Sequence, residues 1–214
     1  MSATSKALLL DYGGVLTGPV QDSFAAFERR LGIPVGRSFE VLVAASRTTG
    51  GGLIGALERG EIAVDEFDGA LVALLRQDGY DVEAGRLLDG LFQALEPAGA
   101  LWDVARQARA AGVTTGLLSN SWGADTYPRA ALDEHFDTLV ISGEVGLRKP
   151  DPAIYHLACE RIGRAPEQCV FVDDLPRNVE VAREIGMSAV LHDGDDGATV
   201  AAVSRSLGIR LEVP

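Results

Sequence analysis

The chain has 214 residues, 47% of them hydrophobic and 23% charged, so it can bury a substantial core and is not expected to be disordered. With 31 acidic and 19 basic side chains the net charge is -12, which argues against nucleic acid or an anionic membrane surface as a partner. No signal peptide or membrane span is predicted. Two cysteines without metal-site spacing, Cys159 and Cys169, predict buried free thiols and a cytoplasmic protein.

Five short apolar segments have the length of β-strands and are followed by polar or turn-forming residues. They are residues 6–10, 113–118, 138–141, 169–172 and 188–191. Because each is apolar almost throughout rather than alternating, the pattern predicts a parallel sheet that is covered on both faces. Helix-like segments at 101–111, 152–162, 178–185 and 198–207 separate the later strands, and glycines at 112, 163, 186 and 208 follow them as helix stops. The alternation predicts an α/β fold with a Rossmann-like parallel sheet.

The segment 18–94 interrupts this alternation. Residues 22–31, 37–47, 65–77 and 83–95 are predicted to form helices, and no strand is predicted among them. The glycine-rich stretch 50–55 has the spacing of a dinucleotide-binding fingerprint, but no buried strand precedes it, so a loop between helices is predicted. The expected organisation is therefore an α/β core formed by 1–17 and 95–214, with a helical insert at 18–94.

Polar side chains follow three of the predicted strands. Asp11 follows the first, and the others are Ser119, Asn120, Asp173 and Asp174. In open α/β sheets, ligands bind at the carboxyl ends of the strands, so these side chains are expected to share one edge. Lys149, on a loop just before a predicted helix, is a candidate cation for the same edge.

These residue types form a consistent set for phosphoryl transfer. Asp11 can act as a carboxylate nucleophile that forms an aspartyl-phosphate. Asp174, together with Asp173, offers the oxygen ligands that Mg²⁺ prefers, and the cation would offset the repulsion between clustered carboxylates. Ser119 and Lys149 are suited to holding phosphoryl oxygens.

The order of four segments resembles the four motifs of the haloacid dehalogenase superfamily, and the resemblance extends over nearly the whole chain. The segments are residues 11–15, 117–120, 149–150 and 170–174. The helical insert is similar to the first type of cap domain in that superfamily, where the phrase Gly60-Glu61-Ile62 followed by Glu66-Phe67 is common. The resemblance implies an α/β core with an inserted α-helical cap domain.

The resemblance also implies roles for the candidate residues. Asp11 would be the nucleophile, Lys149 would stabilise it and the reacting phosphate, and Ser119 would bind the phosphoryl group. Asn120 would position the second motif or the substrate. The implied Mg²⁺ ligands are Asp11, the backbone carbonyl of Gly13, Asp174 and, in an assisting role, Asp173. Contacts from the cap would determine specificity.

Gly13 departs from the usual pattern. Most phosphatases of this superfamily have an aspartate at this position, which protonates the leaving group and then activates water. General acid–base assistance of this kind is worth about 10²–10⁴-fold. Either another side chain or a water molecule takes over this acid–base role, or the leaving group is good enough not to need it, or turnover is slow.

The favoured function is a Mg²⁺-dependent phosphatase that acts on a small phosphorylated metabolite. The first alternative is a 2-haloacid dehalogenase-like hydrolase, in which the same aspartate attacks carbon without a metal. The pair Asp173-Asp174 argues against that reading, because the dehalogenase branch does not keep a metal-binding acid pair. The second alternative, motivated by Gly13, is a catalytically weak protein that binds metabolites or regulates a partner. The sequence does not indicate the substrate or the oligomeric state.

Overall fold

The computed structural model describes residues 6–47, 51–83, 99–123 and 127–213. These residues include a five-stranded parallel sheet with the order β3-β2-β1-β4-β5. The strands are β1 (Ala7–Leu10), β2 (Thr114–Ser119), β3 (Thr138–Ile141), β4 (Cys169–Asp173) and β5 (Ser188–Leu191). The predicted parallel α/β fold is confirmed. The strand order reverses direction between β1 and β4, which is the point where open sheets of this kind bind ligands.

Every residue of β1 is fully buried, and successive side chains of a strand point to opposite faces of the sheet. Both faces of the sheet are therefore covered, and helices provide the cover. Leu8 and Leu10 pack in one apolar cluster, which also includes residues of α5 (Gly99–Ala110) and α10 (Asp196–Leu207). Ala7 and Leu9 pack in a second cluster with α8 (Pro152–Ile162) and α9 (Pro176–Glu184). Continuous apolar strands are therefore required here, which explains why they were recognisable in the sequence.

Local sequence signals define the ends of the helices that flank the sheet. At the start of α8, the Asp151 carboxylate accepts a hydrogen bond from the backbone N of Ala153 at 2.9 Å, and Pro152 occupies the first turn. Gly163 ends the same helix in a left-handed conformation with φ 70°. The start of α10 is capped in the same way by Asp195, which accepts from the N of Ala198 at 2.9 Å.

Four described helices lie between β1 and α5, and they surround a third apolar cluster. They are α1 (Val20–Leu31), α2 (Arg37–Ala45), α3 (Gly52–Glu58) and α4 (Val64–Gln77), which we call the insert helices. Phe27, Leu42, Phe67 and Leu71 are among the buried side chains of this cluster. The helical character predicted for this segment is confirmed for the described residues, whereas the predicted helix at 83–95 lies almost wholly outside them.

The prediction of a loop at 50–55 is wrong for residues 52–55, because α3 begins at Gly52. Leu53, Ile54 and Leu57 lie on one side of this helix and pack against the third cluster. Glycine in a helix costs about 1 kcal/mol relative to alanine. Burial of three apolar side chains, worth roughly 1.5–3 kcal/mol each when complete, outweighs that cost. Local composition could not reveal this tertiary compensation.

Two further short helices were not predicted, namely α6 (Arg129–His135) and α7 (Ser142–Val145). The cysteines lie where they were expected, with Cys159 in α8 and Cys169 at the start of β4, and both are buried free thiols. Their sulfur atoms are 3.8 Å apart, a proximity that the sequence did not indicate. None of the described helices combines the length and the apolar character needed to cross a bilayer.

Candidate active site

The carboxyl ends of β1, β2 and β4 meet at one edge of the sheet, beneath the insert helices. The strand pairing continues one residue beyond β1, because the backbone N of Asp11 donates to Val172 O at 2.9 Å. A cavity of about 510 Å³ opens at this edge. The predicted site residues that line it are Asp11, Gly13, Ser119, Asn120, Lys149 and Asp174. The structure thus brings together side chains that lie more than 160 positions apart in the sequence, from 11 to 174.

Lys149 forms the centre of the polar network below the cavity, and its side chain is only 1% exposed. Its Nζ lies 2.7 Å from Asp11 Oδ1, 2.7 Å from Asp173 Oδ2 and 2.9 Å from Leu118 O. An ammonium group has three donors, so these three acceptors fix its orientation. Burial opposes the charge, but the carboxylates of Asp11 and Asp173 outweigh it and raise the pKa of Lys149. Lys149 is therefore a fixed cation beside Asp11.

Asp173 is fully buried, and hydrogen bonds already occupy both of its oxygens. Oδ1 accepts from the backbone N of Leu175 and from Asn178 Nδ2, both at 2.9 Å. Oδ2 accepts from Lys149 at 2.7 Å and from Asn178 at 3.1 Å. This arrangement orients Lys149, and direct metal coordination by Asp173 would compete with it. Metal coordination by Asp173 stays a prediction.

Asp174 is half-buried and lies against the glycine turn that follows β1. Gly14 has a φ of 72°, and a Cβ atom there would lie 2.4 Å from Asp174 Oδ2, so only glycine fits beside this carboxylate. Asp11, Asp173 and Asp174 each offer an oxygen atom within 4.8 Å of the others. A cluster of carboxylate oxygens is the chemistry that Mg²⁺ requires.

Burial and neighbouring carboxylates disfavour the ionised forms of Asp11 and Asp174. Burial raises the pKa of Asp11 to about 8; the Lys149 ammonium opposes this shift, while Asp173 and Asp174 add to it. Burial and the neighbouring Asp173 raise the pKa of Asp174 to about 6. A divalent cation between these groups would favour their ionised forms, so the electrostatics of the protein itself fit a cation site.

Replacing Asp174 with asparagine should raise the melting temperature of the metal-free protein at pH 7.5 by about 2–4 °C. The folded-state pKa of Asp174 lies above the unfolded value of 3.8, so its ionisation destabilises the folded state as the pH rises from about 4 through 6. After allowance for solvent screening, we expect a gain of about 1 kcal/mol, which corresponds to that shift in a chain of this size. Thermal unfolding in EDTA measures it.

The same variant should lose the rise in melting temperature that Mg²⁺ gives the unmodified protein, because a cation ligand is gone. Asp81→Asn, at an exposed site on the insert, is the matched control and should change neither quantity. A Mg²⁺ response of Asp174→Asn equal to that of the unmodified protein would contradict the assignment.

Ser119 and Asn120, at the end of β2, are held by partners that the sequence did not reveal. Ser119 Oγ lies 2.8 Å from the Tyr127 hydroxyl, and the Tyr127 ring packs on Tyr12 with 4.9 Å between the ring centroids. Asn120 Oδ1 accepts from the backbone N of Lys149 at 2.8 Å, and its Nδ2 donates to Lys149 O at 3.0 Å. Asn120 thus joins the loop that carries Lys149 to the end of β2, and its predicted role in positioning the second motif or the substrate stays a prediction.

Glu58, the last residue of α3, joins the insert helices to this site and is 6% exposed. Its Oε2 lies 2.5 Å from Arg148 Nε and accepts from Asn120 Nδ2 at 3.3 Å. Its Oε1 accepts from Trp122 Nε1 at 3.2 Å. Burial raises the pKa of Glu58, and Arg148 opposes the shift. Glu58 had no distinguishing signal in the sequence, because it is one of several acids on an amphipathic helix.

Comparison with known proteins identifies the family of this chain. The model of a hydrolase family, the haloacid dehalogenase-like hydrolases, matches residues 5–186. Bifunctional epoxide hydrolase 2 of Sus scrofa is 25% identical over 222 residues, which cover 96% of this chain and 39% of that protein. Phosphoserine phosphatase of Thermus thermophilus is 40% identical over 93 residues, covering 41% of this chain and 36% of that enzyme. The match thus spans less than two fifths of the length of each relative.

Among solved structures, a haloacid dehalogenase family enzyme of Bacteroides thetaiotaomicron, crystallised with magnesium and inorganic phosphate, has a similar fold. The TM-score is 0.66 at 22% sequence identity, and the match covers 91% of this chain and 98% of that one. This likeness confirms the fold class independently of close sequence similarity.

Proposed function

This chain belongs to the haloacid dehalogenase-like hydrolase family, and from that premise we propose that it is a Mg²⁺-dependent phosphatase of small phosphomonoesters. The observation that carries the proposal is the contact of Lys149 with both Asp11 and Asp173 at the floor of the cavity, with Asp174 beside them. A carboxylate held against a fixed cation, in a buried cavity at the ends of parallel strands, is placed for nucleophilic attack.

In the first step we propose that a carboxylate oxygen of Asp11 attacks phosphorus. An Asp11 oxygen–phosphorus bond forms, the bond from phosphorus to the substrate's ester oxygen breaks, and the departing alkoxide takes up a proton from solvent water. In the second step water attacks phosphorus and releases a proton to solvent, the bond to Asp11 breaks, and phosphate leaves while the carboxylate is restored. Two easier steps thus replace one difficult displacement.

The other residues would act through position and charge. Lys149, together with Mg²⁺, would favour the ionised form of Asp11 and offset the charge of the phosphoryl group, while the Ser119 hydroxyl would orient a phosphoryl oxygen. Asp173 and Asn120 would position Lys149 through the hydrogen bonds described above. Because these donors are fixed before substrate binds, no reorganisation is needed when charge develops.

Asp11, Asp174 and the backbone carbonyl of Gly13 are the proposed Mg²⁺ ligands, with Asp173 in an assisting role. When bound, Mg²⁺ would neutralise the acid cluster and the phosphate charge and align the phosphoryl group with Asp11. The proximity of the carboxylate oxygens and the magnesium and phosphate in the Bacteroides thetaiotaomicron crystals support this assignment.

We further propose that residues 18–94 act as a cap domain on an α/β core formed by 1–17 and 95–214. The insert helices supply Val20, Phe39 and Glu58 to the cavity wall, so they lie where a substrate's organic group would be bound. Such a wall would exclude water during turnover. The expected partner is a small phosphorylated metabolite, whose organic group would contact this wall.

A phosphatase screen over sugar phosphates, nucleotides, acyl phosphates and aryl phosphates tests the proposal. We expect phosphate release with Mg²⁺ and a loss of at least about 10²-fold in EDTA, restored by added Mg²⁺, because an unneutralised acid cluster repels the substrate. Halide release from 2-haloacids that persists in EDTA would instead support a dehalogenase. Binding of phosphate analogues without turnover on any substrate would support the metabolite-binding alternative.

A further inference from the structure

We infer that the organic group of the substrate is uncharged, apolar and about the size of a ring, so that the phosphoryl group is its only anion. This inference rests on the proposed phosphatase function and concerns the same cavity. It follows from three features of the described residues: the apolar character of the wall, the absence of an available cation, and the volume.

Apolar and aromatic side chains form most of the cavity wall away from Asp11, although Gln21, Ser23 and Glu58 also line it. Val20 and Phe39 come from the insert helices, Trp122 from the loop after β2, and Leu175 from the loop after β4. The Trp122 ring is fixed by edge contacts with Phe24 and Phe67, at 5.7 and 5.9 Å between ring centroids. Rigid aromatic and aliphatic walls favour an apolar ligand surface, because its transfer from water is favourable.

Among the described lining residues, Lys149 is the only lysine or arginine, and its three donors already contact Asp11, Asp173 and Leu118. Arg148, next to it in sequence, is paired with Glu58 at 2.5 Å. A second phosphate or a carboxylate on the substrate would therefore be buried without a cationic partner, which is costly. The wall selects against such substrates by leaving their charge uncompensated.

The volume of about 510 Å³ lies within the range of cavities that bury small-molecule ligands, and it exceeds what a phosphoryl group alone would fill. A ring-sized apolar group would fill the remaining space and contact Phe39 and Trp122. A short alkyl group would leave these walls in contact with water.

The test compares substrates with alcohols of similar pKa, so that leaving-group effects cancel. We expect kcat/KM for 2-phenylethyl phosphate to exceed that for ethyl phosphate by about 10²-fold. A carboxylate at the para position of the ring should lower kcat/KM by at least about 10-fold, whereas a methyl group there should not. Equal values for the phenylethyl and ethyl esters, or no carboxylate penalty, would overturn the inference.

Phosphonates separate this inference from the proposed function, since they bind without being hydrolysed. Calorimetry with Mg²⁺ present should show tighter binding of 2-phenylethylphosphonate than of ethylphosphonate. If that preference is found without turnover of any ester, the phosphatase assignment fails and the ligand class stands. If esters are hydrolysed without a ring preference, the ligand class fails and the phosphatase assignment stands.

Variants of residues in and beside the cavity wall test the physical cause of the expected substrate preference. Glu58→Gln should release Arg148 from its ion pair and so reduce, by about 10-fold, the loss of kcat/KM that the para carboxylate causes. The double variant Glu58→Gln/Arg148→Gln should show the full loss again. Glu66→Gln, an exposed acid on α4, is the matched control. Phe39→Ala should lower the phenylethyl-to-ethyl ratio by about 10-fold. If the carboxylate lowers kcat/KM as much in Glu58→Gln as in the unmodified protein, and Phe39→Ala keeps the phenylethyl-to-ethyl ratio, the proposed role of the wall in substrate selection is wrong.

Discussion

Replacing Asp11 with asparagine is expected to lower kcat for phosphomonoester hydrolysis by about 10⁴-fold or more, as for loss of a catalytic nucleophile in other covalent enzymes. The amide is nearly the same size as the carboxylate but cannot form an aspartyl-phosphate. The variant should fold, because Lys149 keeps its contact with Asp173 at 2.7 Å and one buried carboxylate is removed from the acid cluster. Steady-state kinetics with Mg²⁺ present measures the loss.

Mass spectrometry of acid-quenched reactions provides a second measurement for Asp11→Asn. The unmodified protein should gain the mass of one phosphoryl group during turnover, and the variant should not. Asp81→Asn, which changes an exposed carboxylate outside the cavity, should keep both the kcat and the phosphoryl adduct of the unmodified protein. Metal-dependent activity that survives in Asp11→Asn would show that another group is the nucleophile.

Introducing an aspartate at Gly13 is expected to raise kcat/KM on alkyl phosphates by about 10²-fold, at the lower end of the effect of general acid–base catalysis. The backbone of Gly13 is not in the left-handed region, so a side chain is sterically allowed there. Its Cβ, however, would lie 3.1 Å from Val20 Cγ2, at the start of α1. The gain should therefore be larger in Gly13→Asp/Val20→Ala than in Gly13→Asp alone.

The dependence on the leaving group distinguishes acid catalysis from a general improvement of the site. The gain should be present for ethyl phosphate and nearly absent for 4-nitrophenyl phosphate, whose leaving group needs little protonation. Val20→Ala alone is the control for the enlarged cavity and should not produce this difference. A double variant that folds and binds Mg²⁺ but shows no gain on ethyl phosphate would mean that another group already supplies the proton.

The sequence permitted the positions of Asp11, Ser119, Asp173 and Asp174 to be predicted for a simple physical reason. Buried parallel strands are continuous apolar runs, and the residues at their carboxyl ends must reach the same edge of the sheet. Lys149 was harder to place, because it lies on a loop and no periodicity specifies where a loop side chain points. Its predicted proximity to Asp11 came from chemistry and family resemblance, and the contact at 2.7 Å agrees with it.

The contributions of Glu58, Tyr127 and Asn178 could not be predicted from the sequence. Glu58 contacts Asn120 and Trp122 from an element 62 and 64 positions away in the chain. Tyr127 and Asn178 contact Ser119 and Asp173 from only 8 and 5 positions away, but no periodicity indicates that their side chains point to these partners. Helical periodicity identifies the side of a helix that is buried but does not identify its partner. For the same reason α3 was mistaken for a loop: its glycines are local signals, whereas the apolar cluster that stabilises it is formed by other helices.

The sequence by itself determined the α/β class and the edge of the sheet where the candidate site lies, because these follow from local periodicity and chain order. The nucleophile candidate followed from the chemistry of Asp11 at that edge and from the family resemblance. Tertiary structure alone decided how charge is distributed at that edge. It pairs Lys149 with Asp11 and Asp173, pairs Arg148 with Glu58, and thereby leaves the cavity wall without a free cation among the described residues. Such pairings depend on distances of a few ångströms between separate elements, because electrostatic energy in a buried site depends steeply on separation and solvent exclusion.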